Sequence, residues 1–137
     1  MVFHPAYYAD LLKKNLVKYD VKTWLINTGL VGGPAGIGNR ISIHHTRALL
    51  SAVLNGDLDQ VSFQVDPWFG FEVPQSCPNV PDEILNPSAM WPDKKAYDKS
   101  IYQLVEQFNT NIQKYKDSTP EEVLLAGPTQ QPVKDQE

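Results

Sequence analysis

Apolar positions recur at helical spacing in three stretches, alternate at strand spacing in two, and are interrupted by glycine or proline everywhere else. His4-Pro5 opens the first helix, with Pro5 suited to the first helical position and Tyr8, Leu11, Leu12, Leu16 and Tyr19 on one face. Lys13, Lys14 and Lys18 fall on or near the other side and read as a solvated face, and His4 reads as a capping or loop residue. Thr23 to Ile26 is a short apolar run, so a buried strand is expected over 22 to 27. A second helix is expected from about Ile43 to Leu54, with Leu49, Leu50, Val53 and Leu54 as its buried stripe and Asn55-Gly56 as its stop. Alternation over 61 to 65 and again at Phe69, Phe71 and Val73 predicts two short strands or one bent one, broken at Asp66-Pro67.

The stretch from Pro74 to Pro92 is punctuated by proline, which restricts itself and the residue before it. It reads as an ordered wrap anchored by Ile84, Leu85, Met90 and Trp91. Asp93 then starts the longest helix, where Tyr97, Ile101, Leu104, Val105, Phe108, Ile112 and Tyr115 keep helical spacing for several turns. Thr119-Pro120-Glu121-Glu122 has the capping-box pattern of a short helix running to about Ala126. Beyond Gly127 the periodicity ends, so residues 1–127 read as the folded unit and 128–137 as a disordered tail.

Between the first strand run and the second helix lies NTGLVGGPAGIGNRISIHHTR, residues 27–47, which holds five of the chain's 8 glycines. A glycine loop between a strand and a helix start lets backbone N–H groups meet an anion or a nucleotide. Neither phosphate-binding motif is intact. Gly33 and Gly38 have the G-x-x-x-x-G spacing, but Asn39 and Arg40 replace the lysine and the Ser/Thr. The glycines at 33, 36 and 38 also miss the G-x-G-x-x-G spacing, which disfavours a dinucleotide-dependent dehydrogenase.

The remaining chemistry is sparse. At 137 residues the chain is the size of one domain, and its formal charge of -4 provides no electrostatic footprint for nucleic acid. Cys77 is the single cysteine, so an internal disulfide is impossible, a reducing compartment is expected, and the thiol reads as a packing residue. No stretch reads as a signal sequence or a membrane span. His44 and His45 are adjacent on a helix and point apart, a poor pair of metal ligands. Asp57, Asp59, Asp82 and Glu83 read as solvated loop acids, and Ser42 and Thr46 lack an evident base.

HPAYYADLL at 4–12, WLINTG at 24–29, RISIHHTRALLSAVLNGDLD at 40–59, VDPWFGFEVP at 65–74, CPNVPDEILNP at 77–87 and AGP at 126–128 together resemble the C-terminal part of ATP-dependent phosphoenolpyruvate carboxykinase. The resemblance implies a mixed α/β fold, a piece of that family's C-terminal nucleotide-binding domain, with short strands covered by helices. It implies an enzyme that converts oxaloacetate and ATP to phosphoenolpyruvate, ADP and carbon dioxide in cytoplasmic gluconeogenesis, with Mg2+ and Mn2+ as metals. By resemblance Arg40, Ile41 and Thr46 carry the contacts to the nucleotide base, a cofactor-binding role, and no catalytic or metal-binding residue is assigned. The phosphate loop, the oxaloacetate site and the metal ligands of the family belong to its other half, which becomes the implied partner, while neither nucleic acid nor a membrane is implied. On this resemblance Met1 falls mid-chain, so a fragment or truncated product is expected. The family usually has Trp where Leu30 stands and Lys where Asn39 stands. The alternative function is a stand-alone nucleotide-binding or interaction module without catalysis.

Overall fold

Helix α1 (Pro5–Tyr19) begins where the sequence places it: the His4 ring Nδ1 accepts from the Ala6 N–H at 3.3 Å, and proline occupies the first turn. This computed structural model describes residues 3–129. After α1 come β1 (Leu30–Val31), β2 (Asn39–Arg40), α2 (Ile43–Asn55), β3 (Phe63–Val65), β4 (Glu72–Pro74), α3 (Asp82–Leu85), α4 (Pro87–Met90), α5 (Lys94–Ile112), a 3-10 segment (Gln113–Ser118) and α6 (Glu121–Leu125). The fold is therefore mixed helix and strand, as expected. Its sheets are two separate antiparallel hairpins, β1–β2 and β3–β4, rather than one layer.

The strand expected over 22 to 27 is not formed. Side chains there do alternate, Trp24 and Ile26 turning inward while Leu25 stays 77% exposed, but no neighbouring strand hydrogen-bonds to them among the described residues. The alternation reflects one-sided packing, with Trp24 against Phe63 at 6.0 Å between rings. The break at Asp66-Pro67 is a tight turn instead of a bend. Asp66 Oδ1 accepts from the Trp68 and Phe69 N–H groups at 3.0 and 2.7 Å, and Gly70 takes the left-handed φ of 68° that returns the chain into β4.

Two small cores result. Ala52, Leu58, Cys77 and Val80 form one, joined by half-buried Trp24, Leu49, Ile84 and Leu85, so the proline-rich wrap is pinned beneath α2. Trp68, Ile101 and Val105 form the other, which sets the β3–β4 turn on α5. Within the wrap, Asn79 adopts φ 62° and lets Cys77 and Val80 bridge. Several expected core positions are open to solvent: Leu50 and Leu54 on α2, and Leu104 and Phe108 on α5.

The cap of the last helix also differs from the expected one. Pro120, not Thr119, is the flanking residue of α6, and the Thr119 hydroxyl donates back to the Tyr115 carbonyl at 2.8 Å. The Ser118 hydroxyl donates to the same carbonyl at 3.0 Å, so both hydroxyls close the preceding 3-10 turn and neither caps the next helix. The lysines of α1 are exposed as expected. Lys14 pairs with Asp10, and Lys13 reaches Glu122 of α6. Of the expected tail, residues 130–137 lie outside the described residues; before them the Thr129 N–H donates to the Trp68 carbonyl at 2.9 Å.

Candidate functional site

The glycine stretch folds as a hairpin, so the local order is strand, loop, strand, helix. Asn27 prepares it by accepting from the Gly29 N–H at 2.8 Å through Oδ1 and donating to the Leu30 carbonyl at 3.2 Å through Nδ2. β1 and β2 then pair with Leu30 opposite Arg40 and Val31 opposite Asn39. At the tip, the N–H groups of Ile37 and Gly38 both donate to the Pro34 carbonyl, at 3.0 and 2.8 Å. Those two donors are spent inside the turn, which weakens the expected anion cradle. Gly38 admits no side chain, since a Cβ there would stand 2.2 Å from the Gly33 carbonyl oxygen.

The hairpin runs straight into α2. The Ile41 N–H donates to the Gly29 carbonyl at 2.9 Å, closing the base of the hairpin, and the Ile41 side chain is 8% exposed. Ser42 caps the helix, its Oγ accepting from the His45 N–H at 3.1 Å, and the Thr46 N–H donates to the Ser42 carbonyl at 3.0 Å. Arg40, Ile41 and Thr46 thus occupy one continuous corner: Arg40 exposed on the last strand residue, Ile41 buried beneath it, Thr46 half-buried in the first turn of α2. Leu30 and Asn39, the two departures from the resembled pattern, lie on the same hairpin, with Leu30 directly across from Arg40.

Elsewhere burial shifts the ionisation of two side chains. Burial, and then the Asp57 charge, pushes the Cys77 thiol up, which makes it less reactive. Burial, with Asp66 and Asp98 nearby, likewise pushes up the Tyr97 phenol. His44 and His45 stack edge to face at 5.8 Å, and among the described residues no group of three or more His, Cys, Asp or Glu side chains could hold a metal ion. The described residues therefore do not fit the Mg2+ or Mn2+ that the resemblance implies. One feature that the sequence reading missed is an open cleft of about 520 Å³ between β3–β4, the α3–α4 turn and Tyr97. None of Arg40, Ile41 or Thr46 lines it. Its walls come from the second hairpin, the wrap and α5, which are separated along the chain, so no local pattern encodes it. No described helix is long and apolar enough to cross a membrane.

A sequence profile of the phosphoenolpyruvate carboxykinase family matches residues 1–83, from α1 through the glycine hairpin, α2 and the second hairpin. The chain is 50% identical over 124 residues to phosphoenolpyruvate carboxykinase (ATP) of Caldanaerobacter subterraneus subsp. tengcongensis, covering 90% of this chain and 24% of that protein. It is 46% identical over 128 residues to the enzyme of the same name from Flavobacterium johnsoniae, covering 93% and 24%. Against phosphoenolpyruvate carboxykinase (ATP) 1 of Salinibacter ruber it is 41% identical over 134 residues, covering 98% and 25%. The chain thus spans about a quarter of the length of these relatives. With the match running unbroken through the hairpin and the corner it builds, the chain belongs to the ATP-dependent phosphoenolpyruvate carboxykinase family.

Proposed function

We propose that this chain is the adenine-side nucleotide-binding segment of an ATP-dependent phosphoenolpyruvate carboxykinase, part of its C-terminal nucleotide-binding domain, acting in the cytoplasm. The complete enzyme would take oxaloacetate and ATP to phosphoenolpyruvate, ADP and carbon dioxide, with its metal ions and catalytic groups supplied by the remainder of the enzyme. The observation that carries the reading is the hairpin register, which sets an exposed guanidinium at Arg40 across from Leu30 and hands the chain directly to Thr46. A guanidinium can lie against the face of a purine, and a hydroxyl can donate to or accept from its edge. Because the Ile41 N–H is committed to Gly29, its carbonyl is the backbone group with acceptor capacity toward an adenine amine.

These residues hold the base, away from the reacting phosphate, so they contribute similar binding to ground and transition states. Such binding is read in KM rather than kcat. In a complete carboxykinase carrying this segment, Thr46→Ala should raise the KM for ATP roughly two- to tenfold, the worth of one hydrogen bond of about 0.5 to 1.5 kcal/mol. Arg40→Ala should raise it further, since its charge also senses the polyphosphate. Steady-state kinetics with each substrate varied separately decide the matter, and a hundredfold loss of kcat at unchanged KM for ATP would refute the placement. The second reading is a stand-alone nucleotide-binding or interaction module without catalysis. Genomic sequence directly upstream of Met1 separates the two: an open frame encoding GxxGxGKT supports the first reading, and a promoter with no such frame supports the second.

A further inference from the structure

Helix α1 is amphipathic, yet none of its 15 residues is buried. Tyr8, Leu11 and Leu12, which share its apolar face, are 39%, 49% and 59% exposed. Among the described residues its links to the rest of the chain include the exposed Lys13–Glu122 pair and, through its cap, an edge contact of the His4 ring with Tyr115 at 6.1 Å, while Leu16 at the far end of the same face is half-buried. A helix of this length is marginal in water without tertiary packing. Its stabilising contacts must therefore come from a surface outside these residues.

The size of that surface follows from the other uncovered faces. Leu50 and Leu54 on α2 and Leu104 and Phe108 on α5 are also exposed, and no two of α1, α2 and α5 pack along one another. A twofold contact between copies covers one self-complementary patch per chain. One large body set among three helices can cover all of them. The relatives that match this chain, α1 included, contain such a body, for they carry about three times as much sequence again.

We infer that the Tyr8, Leu11 and Leu12 face of α1 docks against the remaining three-quarters of a carboxykinase polypeptide, as a buried seam of the enzyme rather than a contact between copies of this chain. The inference rests on the reading of the chain as a carboxykinase segment, but not on where the nucleotide sits. The test replaces the matched quarter of the Caldanaerobacter relative with this chain and compares amide hydrogen exchange in α1 between that chimera and the isolated chain. Exchange in α1 should slow on the order of a hundredfold or more in the chimera, the difference between a fraying helix and a packed one. Leu11→Asp combined with Leu12→Asp should abolish that protection. If the chimera does not fold, the same exchange is measured on the isolated chain mixed with the separately purified remainder of the relative. Equal, fast exchange with and without the remainder overturns the inference. So does protection already present in the isolated chain together with a dimer in sedimentation, which would identify a second copy as the occupant. ATP titration of the same samples separates the two readings: a protected α1 without ATP binding sinks the nucleotide assignment alone, and ATP binding with an unprotected α1 sinks the docking alone.

Discussion

A thiol and a methyl-sized side chain test what Cys77 contributes. Its environment is the first core, where it is 5% exposed among Ala52, Leu58 and Val80, and burial makes its ionisation harder. Cys77→Ala should be tolerated with a loss of about 1 kcal/mol from a small cavity. Cys77→Ser should cost more, about 1 to 3 kcal/mol, because a hydroxyl is buried where a weakly polar thiol sat. Urea titrations of the two variants would check that order, and Ser outlasting Ala would contradict it. At this scale the sequence was legible where a residue acts on its immediate neighbours. His4 caps its helix through a contact two residues away, as expected, whereas the cap that Ser42 makes on α2 was not anticipated. Thr119 was not legible, since the carbonyl it chose belongs to the turn behind it, and two local rules competed for one hydroxyl. The candidate contacts Arg40, Ile41 and Thr46 could be named only through family resemblance, because an arginine at a strand end, a buried isoleucine and a threonine in a helix's first turn carry no binding signal by type alone.

Elements were readable where their period is long and lost where they need a partner far along the chain. α2 falls within a residue of its expected bounds and α5 starts within one of its own, since each start is specified by its cap and spacing, while the turn carrying Tyr115 is 3-10 rather than α. The run around Trp24 is a strand by composition and extended chain in fact, because composition cannot supply the neighbour that a ladder requires. The hairpin inside the glycine stretch shows the converse, a pairing hidden by a seven-residue loop. Gly38→Ala should break it: a Cβ set 2.2 Å from a backbone carbonyl cannot be relieved by a rotamer, so the strands must part. A stability loss of about 1 to 3 kcal/mol is expected, as for other overpacked sites. In a complete enzyme the KM for ATP should rise with it, because Arg40 moves with its strand. The link between α1 and α6 is electrostatic and should respond to pH. The hydrogen bond and charge of Lys13 hold the Glu122 carboxyl below its ordinary value of 4.5. A carboxylate with a depressed native pKa stabilises the fold above its ordinary value and loses that contribution as pH falls through the native one. Glu122→Gln should thus lower helicity slightly at pH 6, with the difference from the unaltered chain shrinking as pH falls through the native value, by circular dichroism.

As a whole molecule the chain has more surface than its mass calls for. Its accessible area is 10807 Å², against roughly 7,000 Å² for a compact protein of 15.4 kDa. Residues outside 3–129, even if as exposed as unfolded chain, account for only about 1,600 Å² of the difference. Composition gave no warning, because 42% hydrophobic content is ordinary for a globular domain and does not say whether the covering surface lies within the same residues. The chemistry leads to the same division. The isolated chain should not convert oxaloacetate to phosphoenolpyruvate, since phosphoryl transfer depends on charge placed around the moving group and no metal-holding cluster exists among the described residues. A coupled assay with purified chain, ATP, oxaloacetate and Mn2+ checks this, and any turnover above background would contradict it. The separation of the two cores has one more consequence, an optical one. Trp24 borders the first core beside Phe63, Trp68 sits within the second against Tyr102 at 4.9 Å, and Trp91 lies against Tyr97 at the start of α5. Of the chain's 3 tryptophans, Trp24 thus reports on the first core and Trp68 and Trp91 on the second, so variants retaining a single indole give each core its own emission, and assembly or unfolding can be watched core by core without an added dye.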